Sequence, residues 1–524
     1  MNRKILFIIT SCLINILPPA LQAQNNNFLP EGLGFSNQLE YSNDVTRHIE
    51  IFEDWLNLDY NKGIFGAGIR FESYEPNDPN PAISRGKTRY ADIAYKYIKA
   101  EIGDAQFGGD LVVGNYYALF GRGLILKSYE NRNIRVDNNL LGAKLEARYG
   151  GITLTALTGM AANADNIRKE ILHAADLEYK VFNQLKLGAS YASNLPEDEN
   201  IARTMLTSFR VIPRIWNFDF YAEYGFKQNR DVRSSLLNPD TSYVVYYPYK
   251  ESDWKVGQAA YGSVNFYYDA FALSGEYKYY DNFTFSSQDG TIIYNTPPSV
   301  RKEYTYVLLN RHPSALNQSD EQGFQVQLDY NMTDETYFSL DYGETKTLPA
   351  KSYYKRILDD NSSPRVQLRE VYAQAHNDWN DNWTTIAAFG YNEERDTDTR
   401  NVTPILENIF YFNEINTIKF TIEHQQTTVN LTSEKYYDDA VTLEYLRSPD
   451  FSVSVVSEMQ TREPESGKTL RKFWSFIQCG YKIGDHTDVS ILFGSRQAGN
   501  ICIGGVCRYE PEFSGIEFKM FTRF

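Results

Sequence analysis

The chain has 524 residues, of which 42% are hydrophobic and 23% charged, and its formal net charge is −15. This composition is too apolar for a disordered chain, and the acidic balance excludes nucleic acid as a partner. Aromatic residues make up 15% of the chain, with 40 Tyr, 31 Phe and 6 Trp. Beyond residue 23 no run of about 18 apolar residues occurs, so no helix of the mature chain is predicted to span a bilayer.

The amino terminus reads as a secretory signal peptide over residues 1–23. It has a basic start, an apolar stretch and a small residue, Ala23, at its end. The alternative is a lipoprotein signal ending at Cys12. Export predicts a compartment in which disulfides persist.

Two cysteines near the carboxyl terminus predict a local disulfide. Cys502 and Cys507 flank two glycines in the stretch ICIGGVC, and these glycines can reverse the chain and bring the thiols together. The alternative is a pair of unpaired loop thiols. Cys479 then lacks a partner and is predicted to pack as a small apolar side chain.

From residue 139 onward the sequence consists of segments in which apolar and polar side chains alternate with the period of a β-strand. In GFQVQLDYNM, Phe324 and Leu328 fall on one face, whereas Gln325 falls on the other. The same split recurs in FDFYAEYGFK and DFSVSVVSEM. Each strand is therefore predicted to have one apolar and one polar face.

Three features predict that the apolar face meets lipid. Very short turns alternate with long polar connections, as in transmembrane barrels. Tyr and Trp crowd the segment ends, where an interfacial girdle would lie. The last segment, FSGIEFKMFTRF, ends at Phe524 and resembles the terminal strand by which bacterial outer-membrane barrels are recognised for assembly. The short turns are predicted at Gly150, 183–184, 213–216, Asp269, 333–334, 380–381, 414–416, 448–450 and 484–486, and long connections at 228–256, 347–365, 460–470 and 498–510.

Turn parity predicts the number of strands. The short turns imply nineteen strands after residue 139, and seven candidates precede it, at 33–43, 47–60, 63–73, 89–97, 98–107, 112–119 and 122–130. The predicted fold is therefore an all-β, up-and-down antiparallel transmembrane β-barrel of about 22 to 26 strands. The sheet must close, because bilayer hydrocarbon offers no partner for an unpaired amide.

Residues 282–320 interrupt this rhythm and form one long connection. It contains an apolar, β-prone run from Tyr304 to Leu309, followed by Asn310, Arg311 and His312. An apolar run in an external loop needs cover, so one prediction folds the segment into the mouth or lumen of the barrel. The alternative is an extracellular hairpin that stands above the rim.

The polar strand faces carry the charges that are predicted to line the lumen. The polar faces of the clearest strands carry nine acidic and five basic residues, and this excess of acids predicts a hydrated and mildly cation-preferring lumen. The alternative is that these charges pair across strands and hold the wall together. The candidate lumen residues are Asp219, Glu223, Lys227, Glu276, Lys278, Asp329, Asp341, Lys419, Glu423, Glu444, Glu458, Arg496, Glu517 and Lys519.

Motifs for enzyme chemistry are absent from the sequence. None of the six histidines has a zinc-binding spacing or lies beside a cysteine, so no metal or cofactor is predicted. An outer-membrane hydrolase would need a serine beside an oriented histidine, and His376 and His424 lie in predicted strands. Single histidines in strands are mostly structural, so the protein is predicted not to be an enzyme.

Two stretches carry a family resemblance: GNYYALFGRGLILKSYENRNIRVDNNLLGAKLEARYGG at 114–151 and YNTPPSVRKEYTYVLLNRHP at 294–313. They resemble the signature regions of a Bacteroidota outer-membrane protein family that is carried as a domain of unknown function. The resemblance extends to DWLNLDYNKGIFGAGIRFESYEP at 54–76. It implies a porin-like barrel in the outer membrane, and the phylum adds an expectation of association with type IX secretion machinery.

We therefore predict a single barrel domain over residues 24–524 in the bacterial outer membrane, acting as a porin-like conduit for a solute. The first alternative is a structural or secretion-associated barrel whose lumen is plugged and whose loops bind partner proteins. The second is an outer-membrane hydrolase. The predicted partners are outer-membrane lipid, the barrel assembly machinery and secretion-system or surface proteins.

Overall fold

Alternation of apolar and polar residues produces long strands that pair with one another in chain order. The structure is a computed structural model, and it describes residues 30–74, 91–132, 136–163, 167–195, 203–230, 255–287, 290–311, 320–348, 365–395, 397–463, 471–503 and 506–524. The predicted signal peptide and His312 lie outside the described residues.

The described residues form thirty strands and one short helix, α1 (Val307–Arg311). The strands are β1 (Leu33–Asp44), β2 (Ile49–Lys62), β3 (Phe65–Tyr74), β4 (Ala91–Gly103), β5 (Phe107–Tyr116), β6 (Ala118–Phe120), β7 (Leu126–Ser128), β8 (Glu130–Asn131), β9 (Val136–Asp137), β10 (Leu140–Tyr149), β11 (Ile152–Ala161), β12 (Ile171–Phe182), β13 (Leu185–Leu195), β14 (Arg203–Ile215), β15 (Phe218–Arg230), β16 (Lys255–Tyr268), β17 (Phe271–Asp281), β18 (Asp320–Asn331), β19 (Thr336–Thr347), β20 (Arg365–Asn380), β21 (Trp383–Glu394), β22 (Thr399–Tyr411), β23 (Asn416–Val429), β24 (Lys435–Arg447), β25 (Phe451–Gln460), β26 (Phe473–Ile483), β27 (Thr487–Arg496), β28 (Gly499–Ile503), β29 (Val506–Glu510) and β30 (Phe513–Arg523).

Twenty-four of these strands form one antiparallel sheet. The other six form three separate pairs, β6 with β7, β8 with β9 and β28 with β29. The sheet closes because the first and last strands pair, from Ser36 opposite Arg523 to Asp44 opposite Gly515. Closure leaves no strand edge without a partner, as hydrocarbon requires. The structure thus confirms the predicted closed barrel, and its even strand number lies within the predicted range.

The turn pattern after residue 139 is confirmed, whereas the prediction before it needs correction. All nine predicted short turns join wall strands, and nineteen wall strands follow residue 139. Five wall strands precede it instead of seven, because the candidates at 89–97 and 98–107 are both parts of β4 and the candidate at 112–119 is largely the end of β5.

The candidate at 122–130 is wrong as a wall strand. The backbone leaves the wall after Tyr116, the last residue of β5 that pairs with β10, and two glycines with positive φ, Gly121 and Gly123, turn it inside the barrel. This stretch also lacks the alternation that a wall between lipid and water requires.

The two ends of the barrel differ, and so do its two faces. At one end every connection spans two to four residues, whereas the other end carries connections such as 162–170, 231–254 and 282–319. Leu340 is 50% exposed on the outside, whereas the next residue, Asp341, is 1% exposed on the inside. Within the described ranges, no helix is long and apolar enough to cross a membrane.

Aromatic side chains cluster on the outside at the short-turn end. The ring of Trp216 lies 6.1 to 6.2 Å from those of Phe218, Phe266 and Tyr268. At the turn between β20 and β21, Trp379 and Trp383 lie 5.6 Å apart. This placement is typical of an interfacial girdle.

Substitutions at two adjacent residues of β26 test which face of the wall meets lipid. Ile477 is 41% exposed on the outside, and Gln478 lines a cavity on the inside. We expect Ile477→Arg to lower the free energy of unfolding by about 2 to 4 kcal/mol, because the charge enters hydrocarbon. Gln478→Arg is the matched control and should change it little. Denaturant titration of the protein folded into lipid vesicles measures both values, and equal effects would contradict the assigned faces.

Candidate functional site in the barrel lumen

Two long connections fold into the barrel and fill part of its lumen. We call the described residues among 117–139 the first plug segment and the described residues among 282–311 the second plug segment. In the first, Glu130 binds Arg70 of β3 and Arg122 binds Tyr261 of β16, at 3.0 Å. One segment can contact such distant strands of a closed wall only from within. The second plug segment contacts β20 through Arg301 and Glu370 and β25 through Arg311 and Glu458, so its described residues also lie inside the wall.

The plug segments share an apolar cluster, which we call the plug core. It packs against the wall at the ends of β5, β10, β11, β12 and β17 that carry the long connections. Removing one such side chain from water contributes about 1.5 to 3 kcal/mol, so six contribute on the order of 10 kcal/mol. The most buried of these side chains, each at most 2% exposed, are Phe120, Leu124, Ile125, Leu126, Phe283 and Phe285.

Asn295 ties the two plug segments together through the backbone. Its side-chain nitrogen donates to the carbonyl oxygens of Leu124 and Phe283, both at 3.0 Å. Its side-chain oxygen accepts from the Phe285 N–H at 2.8 Å. Close approach depends on Gly123, because a Cβ there would lie 2.7 Å from a carbonyl oxygen of the second segment.

The first plug segment is also anchored on the β2–β3 side of the wall. The guanidinium of Arg132 lies 4.0 Å from the ring centroid of Trp55. Nearby, burial lowers the pKa of the Lys127 ammonium group and raises the pKa of the Tyr129 hydroxyl. Both shifts reflect partial removal of these side chains from water.

The last part of the second plug segment, residues 298–311, crosses the lumen, and we call it the strap. Arg301 pairs with Glu370 of β20 at 3.3 Å, and Arg311 pairs with Glu458 of β25. At its start, Lys278 of β17 donates to the Ser299 carbonyl oxygen at 2.5 Å. A buried ion pair adds little net stability, because the cost of removing both charges from water offsets their attraction.

The predicted β-prone run of the strap is not a strand. Val307 to Arg311 form α1, and the Val307 and Leu308 N–H groups donate to the Glu423 carboxylate at 3.0 and 2.8 Å. No neighbouring strand pairs with the described residues of the strap, so its amides bind a side chain instead. The side chain of Leu309 fills the space above Gly390, where a Cβ would approach it to 2.4 Å.

Many of the candidate lumen charges have opposite charges as partners. Lys419 pairs with Glu444 at 2.5 Å, and Arg496 pairs with Glu517 at 3.3 Å. Cross-strand pairing thus neutralises part of the predicted acidic excess. The other partners are Arg214 for Asp219, Ser208 and Tyr221 for Glu223, the Thr284 carbonyl oxygen for Lys227, Arg122 and Tyr261 for Glu276, Glu321 for Lys278, Gln327 for Asp329 and Gln325 for Asp341.

The other half of the lumen is open toward the short-turn end. It contains a cavity of about 670 Å³ beside the β1–β30 seam. Polar groups of Gln38, Asp488 and Lys519 line it. The described plug residues thus lie toward the long connections, whereas this cavity, which we call the vestibule, lies toward the short turns.

The two strand histidines are not brought together. His376 binds Asp378 at 3.1 Å on the lumen side, whereas His424 binds Asp439 on the outer face beside Ile422. Across the part of the chain that the structure describes, no group of three His, Cys, Asp or Glu side chains is placed to hold a metal ion.

The predicted assembly terminus and the predicted disulfide lie at opposite ends of the barrel, whereas Asn310 lies in the strap. Phe524 exchanges two backbone hydrogen bonds with Phe35 of β1, at 3.1 and 2.8 Å. Cys502 lies directly opposite Cys507 in the β28–β29 ladder, at a backbone separation that a disulfide can bridge. The disulfide itself stays a prediction. Asn310 binds backbone groups of Tyr304 inside the strap.

Sequence reasoning missed the first plug segment. A signal was present, because the run ALFGRGLIL at 118–126 is apolar without alternation and contains two of the glycines that turn the chain inward. Neither feature suits a wall strand.

Replacing Asn295 tests the connection between the plug segments. We expect Asn295→Leu to speed hydrogen exchange at Phe285 and in the plug core by about tenfold or more, because buried backbone groups that lose a partner cost about 1 to 3 kcal/mol each. The control is Asn382→Ala, which removes a similar side-chain bond to the Tyr411 carbonyl oxygen at an exposed turn. Unchanged exchange in the plug core would contradict the assigned role of Asn295.

Comparison with solved structures finds barrels of low sequence identity. The P pilus usher PapC translocation pore matches with a TM-score of 0.46 at 10% identity, covering 94% of this chain and 98% of that one. The copper transporter OprC matches with 0.45 at 11%, covering 94% and 80%, and Pseudomonas aeruginosa OccK1 with 0.36 at 13%, covering 82% and 98%. No curated protein matches. The model of a family of unknown function, DUF6029, matches residues 1–524, and the chain belongs to this family.

Proposed function

We propose that this protein is a bacterial outer-membrane conduit whose lumen is closed by the plug segments in the present state. One observation carries the proposal: a closed wall, apolar outside, surrounds a polar lumen that is open at the short-turn end and filled only at the other. The vestibule of about 670 Å³ supports the proposal, because a purely structural barrel does not require a cavity of this size in its lumen. We also propose that the protein comes from a bacterium of the phylum Bacteroidota.

A mild cation preference is supported by lumen carboxylates that form no salt bridge with a described basic residue. Asp329 accepts from Gln327 at 2.9 Å, and Asp341 accepts from Gln325 at 2.7 Å. Their charge is not cancelled by an ion pair, and carboxylates along a pore lower the energy of a passing cation.

A second function is favoured by the plug core. A lumen held shut by fully buried apolar side chains also suits a structural or secretion-associated barrel whose long connections bind partner proteins, including type IX components. Catalysis is not proposed, because His376 and His424 lie on opposite faces of the wall.

Planar-bilayer conductance of a plugless variant tests the conduit. In this variant short Gly–Ser linkers replace residues 118–138 and 283–318, and heat-modifiable migration on a gel checks that the barrel has formed. We expect stable ion currents far larger than those of the intact protein. A folded plugless barrel without current would overturn the conduit and favour the partner-binding function, which co-purification with secretion or surface proteins would support.

Neutralising Asp329 in the plugless variant tests the cation preference. A unit charge about 10 Å from an ion in water stabilises a cation and destabilises an anion by about 0.4 kcal/mol each, so Asp329→Asn should lower the cation-to-anion permeability ratio about fourfold. Reversal potentials at low salt measure the ratio, since salt screens the effect. The control is Asp334→Asn, an exposed turn residue. Equal shifts in both variants would contradict a role for lumen charge.

A further inference from the structure

The plug core and the strap are held in the lumen by different combinations of contacts. The plug core is apolar and shared by both segments. The strap also has apolar contacts, because Tyr306 and Leu309 pack against Tyr372, Ala388 and Ile405 of the wall, but it adds ion pairs and hydrogen bonds to wall carboxylates. An ion pair can be exchanged for another of the same kind, so the strap is the part of the plug on which a charged ligand can act.

The charges of the strap and of the wall beneath it are complementary. The strap has three bases, Arg301, Lys302 and Arg311, and its acid, Glu303, is exposed. The wall offers a row of carboxylates to the strap. They lie on β19, β20, β23 and β25 and belong to Asp341, Glu370, Glu423 and Glu458, each at most 3% exposed.

This row has acceptor capacity that the strap does not use. Oδ1 of Asp341, beside Lys302, is buried and accepts no hydrogen bond from the described residues. Gln425, two residues from Glu423, likewise has a buried side-chain oxygen with no donor among those residues. The wall beneath the strap thus keeps two buried acceptors without a donor among the described residues, while Nη1 of Arg301 in the strap is a buried donor without an acceptor there.

Backbone strain marks the junction between the plug core and the strap. Val300 has a φ of +51°, which is rare for a β-branched residue. Its side chain is wedged against Tyr221 and Tyr261 and is 4% exposed. Strain of this kind persists only where surrounding contacts impose it and is concentrated at switch regions. Release of the strap would relieve it.

We propose that the strap is an autoinhibitory latch, which occupies a row of wall acceptors suited to a guanidinium-bearing cation and opens when such a cation replaces it. This proposal rests on the conduit function and names its solute class. The guanidinium groups of Arg311 and Arg301 occupy the positions that the guanidinium group of the solute would take, because a guanidinium group matches a carboxylate in charge and geometry. The plug core stays in place as the latch opens.

A charge swap tests the latch in the full-length protein. Arg311→Glu and Glu458→Arg each place like charges together, and each should raise the open probability in planar bilayers by about tenfold or more. The double variant Arg311→Glu with Glu458→Arg restores attraction and should return it toward the intact value. The matched control is Arg214→Glu, an exposed arginine paired with Asp219 near a short turn. Heat-modifiable migration confirms folding of every variant.

A peptide competition identifies the ligand class. Tri-arginine added to the intact protein should raise the open probability at micromolar to millimolar concentration, triglycine should not, and the Glu458→Gln variant should respond to tri-arginine at least severalfold less. Single variants that behave as Arg214→Glu does, or a double variant no different from the singles, would overturn the latch. Equal responses to both peptides would overturn the ligand class.

The plugless variant separates failure of the latch from failure of the conduit. If it conducts while the Arg311 and Glu458 variants stay silent, the conduit stands and the latch is wrong. If the plugless barrel is folded and silent as well, the conduit proposal fails and the latch fails with it.

Discussion

Pairing of β1 with β30 is the interaction on which the rest of the structure depends. In hydrocarbon an unpaired amide has no water to bind, so a sheet between lipid and lumen is stable only when its two ends meet. The ladder from Ser36 to Asp44 on one strand and from Arg523 to Gly515 on the other satisfies this need. Closure then obliges every wall strand to alternate, because one face of each belongs to lipid and the other to the lumen.

A closed wall of twenty-four strands encloses far more space than wall side chains can fill. Here the chain itself fills part of it, with two connections that enter from one end. The apolar plug core fills one part of the lumen. The strap, which is held in part by ion pairs, fills another. The vestibule at the short-turn end stays polar and open. The barrel is thus asymmetric along its axis, as a conduit closed from one side would be.

The accuracy of the sequence-based prediction followed the strength of the local signal. Wall strands after residue 139 could be predicted because alternation is strict there and each short turn ends it clearly. The early strands were miscounted since one strand, β4, reads as two. The first plug segment was misassigned, because an apolar run without alternation has the same letters whether it lies in a wall or packs inside a lumen. The helical turn of the strap was missed, since its cap is Glu423, more than a hundred residues away.

By itself the sequence determined the class of fold, the outward and inward faces of the strands, and the end of the barrel that carries the long connections. These are local properties, set by the period of side chains and by turn residues. Only the tertiary structure decided the strand number, the filling of the lumen and the pairing of its charges. Glu458, for example, reads as a free lumen charge in its own strand, but it binds an arginine from a connection that enters across the barrel. Such contacts depend on where distant segments meet in space, which no local pattern encodes.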